Sequence, residues 1–445
     1  FTSAGNFGER SYESIFSATA APAGISGVAH NFAGLSGNDI YQSVTVPEGN
    51  YTLVLQWDDG SAPGSTITDI DIYLAREDGN TLFGFNRVNT GGDPVEVLPF
   101  SVGAGGAQTN ILIVKESGAD NVEIKYVVFR GDLTMNEYSN AVGTTITGHA
   151  NAEGAMTVGA VLYDNTPEFG VSPPTIASFS SRGGLEISGI DRMKPDFTAP
   201  NGVNTTVDLG AVNCEGDPFP NFFGTSAAAP HAAAVAGLII EATHKFYGIS
   251  SNPDAVRGIL QTSAIDMNTP GYDVFSGYGF IQADAALQLL ANPSPVISDL
   301  IYDTTLVPGT DSIPLTVFGN YFTDGSQIYF NGEPLESGTT LNGDTAISGI
   351  IPPFSELYPE IQVYNPPNPE TNGTDGGLSN TLYFNTKETI LINIADRQKK
   401  YGEVLPEFTA DSYEVVSVDG SVLLDSSSLL PEEIARVKSI AFEAP

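Results

Sequence analysis

Residues 221–242, NFFGTSAAAPHAAAVAGLIIEA, limit most sharply what this chain can fold into. The run is small and apolar almost throughout, and its length and pattern predict a buried helix with Ser226 at its mouth. Two features are unusual for a simple helix start. Pro230 has no N–H, so the carbonyl of Ser226 lacks its normal partner four residues on. His231 follows at once, in a chain with four histidines. A local rule broken at a helix terminus points to a site. There the backbone N–H of Ser226 is an unpaired donor and the helix dipole favours negative charge. The plainer reading is that Thr225 or Ser226 simply caps the helix. A nucleophilic serine would in addition need a general base and oxyanion donors.

The 445 residues are enough for two to four domains. Acidic residues outnumber basic ones 53 to 17, a formal charge of −36. That balance argues against nucleic acid and against an anionic membrane surface as partners. With 48 glycines and 29 prolines it describes a loop-rich, largely β chain of a type common among secreted bacterial proteins. A single cysteine, Cys214, excludes an internal disulfide and reads as an ordinary loop residue. No apolar run looks able to span a membrane. The chain opens at Phe1 without Met or a signal peptide, and is expected to be part of a longer or processed protein.

The texture changes along the chain. Residues 37–132 alternate apolar and polar positions, as in YTLVLQW (51–57), TDIDIYLARE (68–77) and VEIKYVVF (122–129), separated by Gly, Asn and Asp turns. They predict an antiparallel β-sandwich. Residues 145–290 mix short strands such as AMTVGAVLY (155–163) with helices near 226–246, 252–263 and 281–291, which is α/β text. After NPSP (292–295) helices vanish, and strand-like phrases recur to 385 and again from 387.

GTSAAAPHAAAVAGL (224–238) closely resembles the nucleophile motif of the subtilisin-like serine peptidases, the subtilases. ASFSSRGG (177–184) and MKPDFTAPNG (193–202) resemble the family's two segments upstream of the nucleophile. GHANAEGAMTVGAV (148–161) resembles the helix-to-strand segment before them, and SGYGFIQADAAL (276–287) the closing helix region. The five matches occur in the family's order. TSAGNFG (2–8) then resembles the strand end Ala-Gly-Asn-x-Gly, whose asparagine supplies the second oxyanion donor. The resemblance therefore implies Ser226 as nucleophile and Asn6 as oxyanion donor. Ser3, Ala4 and Gly5 would form part of the wall beside the specificity pocket, with Thr225 as a further substrate-side residue. The alternative hydrolase motif G-x-S-x-G is absent, because Ala228 stands where glycine is required.

In this family the order is Asp, His, Ser, with the oxyanion asparagine between His and Ser. A chain opening five residues before Asn6 is expected to lack the acid and base, which would lie upstream. The histidines agree: His231 belongs to the nucleophile helix, where the Pro-His pair packs, and His30, His149 and His244 have no catalytic context. The fragment alone is expected to be inactive.

The expected architecture is therefore multidomain. A partial subtilisin-like α/β domain (1–36 and 133–291) is interrupted by an inserted antiparallel β-sandwich (37–132). An Ig-like module resembling IPT/TIG domains (295–386) follows, then a β module (387–445) resembling the start of an MBG repeat and expected to be truncated. Asp58, Asp59, Asp69 and Asp71 leave room for structural calcium, although solvated loop and strand-edge acids are the plainer reading. No cofactor or metal is required. The implied function is a secreted or cell-surface serine endopeptidase of bacterial type acting on proteins or peptides, its β modules spacing the enzyme or touching cell surface or polysaccharide. The alternative is a non-catalytic extracellular binding or adhesion protein on a degenerate subtilase scaffold.

Overall fold

The computed structural model describes residues 1–384 apart from a few short loop segments. Beyond them it describes only the strands Thr389–Ile394, Ala410–Val416 and Val422–Asp425. The chain divides into two compact units, Phe1–Leu289 and Leu290–Pro445. Most of the module expected at 387–445 lies outside the described residues.

In the first unit three parallel strands form a sheet in the order Thr2–Ser3, Thr157–Leu162, Phe197–Asn201. Val158, Ala160, Val161, Phe197 and Ala199 are buried, as parallel strands covered on both faces require. The helix α1, Thr225–Tyr247, packs on all three strands. It buries Ala227, Ala228, Ala232, Ala236 and Ile239, and its small residues let the backbone lie close to the sheet. It ends at Gly248 in the left-handed conformation, where an L side chain would be strained. The helix is not buried all round, contrary to the sequence expectation: Leu238 and Ile240 are exposed, because the sheet covers one side only. The helices α2, Pro253–Ser263, and α3, Ala283–Gln288, complete this body; α2 is capped by Asn252, whose side chain accepts the Ala255 N–H.

Two antiparallel sheets share a second core in the same unit. One has the order Ser11–Ile15, Glu123–Arg130, Gly49–Asp58, Val95–Val102. The other is built around Ala107–Ser117, which pairs with Gln42–Val46, Asp69–Ala75 and Val28–His30. Leu53, Leu55, Trp57, Ile70, Ile72, Ile111, Ile113, Ile124 and Tyr126 fill the space between them. The strands of these sheets begin at Ser11, before the boundary at 37 read from alternation, and run to Met135. Ala18–Ala20 and Val28–His30 are too short to show a two-residue period.

The strand Asp69–Ala75 is buried at every position. Ile70, Ile72 and Leu74 enter the core, and Tyr73 on the other face packs with Ala21, Ile25, Ile40 and Tyr41. Asp71, read from sequence as a solvated strand-edge acid, is therefore fully buried.

In the second unit two further antiparallel sheets face a core of Ile313, Leu315, Val317, Ile328, Ile347, Ile361, Val363 and Phe384. Asn365 is buried at its edge and donates to the carbonyls of Pro293 and Tyr321.

Candidate active site

The candidate site lies at the carboxyl ends of the parallel strands, where α1 begins. Thr2–Ser3 leads into Ala4, Gly5 and Asn6, and Phe197–Asn201 ends at Asn201. Ala4 is buried against Ile146 and Ala150, and its N–H donates to the Val158 carbonyl. Ser3 is half-buried in the strand itself. Asn6 is exposed at the turn that follows.

The turn Gly224–Thr225–Ser226 is held from two directions. The Thr225 N–H donates to Asn6 Oδ1 at 2.9 Å, and the Thr225 hydroxyl donates to the same oxygen at 2.9 Å. A backbone N–H can only donate, so this bond fixes which end of the Asn6 amide is oxygen. The Asn6 Nδ2 is left on the other side, 3.0 Å from where a Cβ on Gly224 would stand. Gly224 has φ +121°, so both its backbone and the close approach of Asn6 call for glycine. The Gly224 N–H donates to Asn201 Oδ1 at 3.3 Å. The Gly224 carbonyl accepts from Ala227 and Ala228 and starts the helical ladder.

With Gly224 and Thr225 N–H groups engaged, Ser226 N–H donates to no described group, and Ser226 itself is exposed. Its hydroxyl, its N–H and the Asn6 amide thus lie at the mouth of α1 with the helix dipole behind them. Such a cluster has the donors needed to stabilise an anion forming on an acyl carbon attacked by Ser226. Thr225 is 1% exposed, and its hydroxyl also accepts the Gly5 N–H at 3.1 Å. Its side chain therefore reaches substrate only through the residues it holds.

None of the four histidines bonds to Ser226 Oγ. His231 Nδ1 pairs with the Ala227 carbonyl at 2.7 Å, one turn back in its own helix. His30 lies in the two-sheet core, where Ser17 N–H donates to its Nδ1 and Tyr12 Oη pairs with its Nε2. His149 and His244 are exposed.

A buried ion network holds the other end of the sheet. Asp196 Oδ2 accepts from Lys194 Nζ at 2.9 Å and from Thr157 N–H at 2.8 Å. Arg257 Nε lies 3.1 Å from Asp196 Oδ1, at an angle that makes it a charge contact rather than a hydrogen bond.

The four aspartates considered for calcium serve different purposes. Asp59 Oδ2 accepts from Thr66 Oγ1 and the N–H groups of Ile67 and Thr68. Burial raises its pKa, but these bonds and those of Ser61 outweigh it and hold the carboxyl well below the usual range. Asp58 accepts Gly60 N–H and Asp69 accepts Asn89 N–H. Among the described residues no group of three or more His, Cys, Asp or Glu is placed to hold a metal ion.

Sequence reasoning missed Asn201, whose only signal was its place in APNG just upstream of the nucleophile segment. It also missed the Thr225 relay, which joins residues 219 and 220 positions apart.

Fold and site together define an α/β body bearing a serine at the N-terminus of a helix, beside an asparagine from a parallel strand. The Subtilase family model matches residues 57–279, half of the chain, and the chain belongs to that family. Its relatives include the CO(2)-response secreted protease of Arabidopsis thaliana, 32% identical over 33% of this chain and 20% of the relative. Fervidolysin of Fervidobacterium pennivorans is 31% identical over 26% of this chain and 16% of its own. The Extracellular protease of Xanthomonas campestris pv. campestris is 24% identical over 68% of this chain and 51% of its own. The chain thus spans between about a sixth and a half of the length of these relatives. Among solved structures, the Clostridium perfringens CspB protease aligns with TM-score 0.40 at 16% identity, covering 65% of this chain and 59% of that one. No described helix is long and apolar enough to cross a membrane.

Proposed function

We propose that this chain carries the nucleophile and oxyanion half of a serine endopeptidase. In this reading Ser226 attacks the scissile carbonyl, and the oxyanion is held by Ser226 N–H and Asn6 Nδ2. Hydrolysis of the acyl-enzyme completes the reaction. The base and its orienting acid come from sequence preceding Phe1, and residues 1–445 alone do not turn over peptides.

One observation carries the reading. Of the three consecutive amides at the helix mouth, two are taken by asparagine side chains and the third, on Ser226, is free. A serine serving only as a helix cap would accept an N–H two or three residues further on with its hydroxyl, whereas Ser226 Oγ has no such bond among the described residues and Ser226 is exposed. The same observation weighs against a degenerate scaffold used only for adhesion.

The relatives' names speak of secreted and extracellular proteases, which supports an extracellular setting and protein or peptide substrates for this chain; a bacterial source rests on its loop-rich, acidic composition. The two-sheet body of residues 11–135 is then an insertion in the peptidase domain. Residues 295–386 are an Ig-like module of IPT/TIG type, with 387–445 a further β module, serving spacing or contact with cell surface or polysaccharide.

The test is covalent labelling of the full-length protein with a fluorophosphonate. One label per chain, lost in Ser226→Ala, is the expected result. Labelling that persists in that variant removes Ser226 as the nucleophile.

A further inference from the structure

Asn201 is fully buried at the end of the third parallel strand, and its side chain reaches the turn opposite Asn6. Its Oδ1 accepts the Gly224 N–H, while its Nδ2 is buried and meets no acceptor among the described residues. Leaving such a donor unpaired is costly. An apolar side chain would avoid that cost, so the amide is kept here for its oxygen. The nearby Asn221 cannot take its place: Asn221 Nδ2 donates to the Gly202 carbonyl and to Asn204 Oδ1, and its Oδ1 accepts Cys214 N–H.

The sheet order makes the geometry symmetrical about the turn. Asn6 follows one outer strand and Asn201 ends the other, with Thr157–Leu162 between them. Each side chain takes one of two successive amides of the turn. Without the Asn201 oxygen, Gly224 N–H would be a buried orphan, and the Gly224 peptide would be free to rotate. Rotation there swings the Thr225 and Ser226 amides together, because Gly224 has the φ that most easily changes.

Resting on the assignment of Ser226 as nucleophile, we propose that Asn201 is a positioning residue for the reaction. By holding Gly224 N–H it fixes the plane in which Ser226 N–H faces the oxyanion, while Asn6 fixes the other edge. It touches no reacting atom.

The experiment uses the full-length protein and saturation kinetics of fluorophosphonate labelling, which separate the bonding step (kinact) from probe binding (KI). Asn201→Ala is expected to lower kinact tenfold or more with KI within twofold, counted per folded molecule by circular dichroism. Asn201→Asp, which keeps an oxygen facing Gly224 N–H, is expected to stay within threefold of wild type. A wild-type protein that does not label overturns the nucleophile reading itself. Wild-type labelling with kinact unchanged in folded Asn201→Ala overturns the role of Asn201 alone. If Asn201→Ala does not fold, the Asp variant decides, and a tenfold loss of kinact in that folded variant overturns the proposal.

Discussion

The Thr225 hydroxyl stands between two backbone turns: it accepts the Gly5 N–H at 3.1 Å and donates to Asn6 Oδ1 at 2.9 Å. One buried oxygen thus ties the end of the first strand to the start of α1. The asparagine amide is aimed by a residue adjacent to the serine and not by its own neighbours.

Thr225→Val keeps the shape and removes both bonds. Gly5 N–H loses its acceptor, and Asn6 Oδ1 keeps only the Thr225 N–H. The expected cost is roughly 1–2 kcal/mol of stability, read from the urea midpoint. Fluorophosphonate labelling of the full-length protein should slow roughly tenfold, the equivalent of about 1.4 kcal/mol in the barrier. A variant that labels at the wild-type rate would show that the backbone N–H alone orients Asn6.

Asp196 offers a separate test of what holds the sheet. Asp196→Ala strips Lys194, itself 3% exposed, of its counter-charge and frees Thr157 N–H. Breaking a buried pair from one side costs about 3–5 kcal/mol. The double variant Lys194→Met with Asp196→Ala should recover part of that loss, since it leaves no buried charge at this pair. Equal losses in the single and double variants would mean that the Thr157 bond, not the charge, carries the network.

How much of this was legible follows from where the information sits. Ser226 lies in a distinctive phrase, and Asn6 in an ordinary Gly-Asn turn that takes on meaning only alongside the segments that follow it, so both were within reach of local text taken together. Asn201 and the Thr225 relay depend on side chains about 20 and 220 positions from their partners, and no local pattern encodes such a distance. The alternation in DIDIY predicts one wet face, and it does place Ile70 and Ile72 in the core. It carries no notice that residues 21–41 pack over the other face, because that segment is irregular and its cover is tertiary. For α1 the error ran the other way. An apolar run announces what a helix can bury, while the sheet decides which side it does bury.

The two-sheet body should lose stability in acid through His30. Burial pushes the imidazole down to about 4 from an ordinary 6.5. Its Nδ1 already accepts the Ser17 N–H, so a proton there would face another proton. The unfolded chain binds the proton first, so stability is intact above pH 6.5 and falls as pH drops toward 4. Linkage limits this loss to roughly 3 kcal/mol. Urea midpoints at pH 7 and pH 4.5, compared for wild type and His30→Gln, measure it. The variant is expected to be less stable at pH 7 but to lose less between the two pH values. An identical fall in both proteins would assign the acid sensitivity to other groups.

Asp71 should act with the opposite sign in the same body. Burial is the main cause that lifts its carboxyl to about 7, with Asp69, Glu96 and Glu116 adding to it and the Tyr73 hydroxyl bond opposing. Here the folded state binds the proton more tightly than the unfolded chain, whose aspartate titrates near 3.8. Stability is therefore fullest below that value and declines as pH rises to 7, where the ionised carboxylate sits with its Oδ1 unpaired. Between pH 4 and pH 6.5 this trend offsets part of the His30 effect and flattens the wild-type profile. Asp71→Asn removes the charge while preserving the shape and an acceptor for Tyr73. It is expected to stabilise the protein at pH 8 by about 1–3 kcal/mol, the cost of an unpaired buried polar group, and to give no gain at pH 4. The profile of the variant should then be steeper in acid than that of wild type, because His30 acts unopposed. A gain of the same size at both pH values would show that packing, and not ionisation, sets the cost of Asp71.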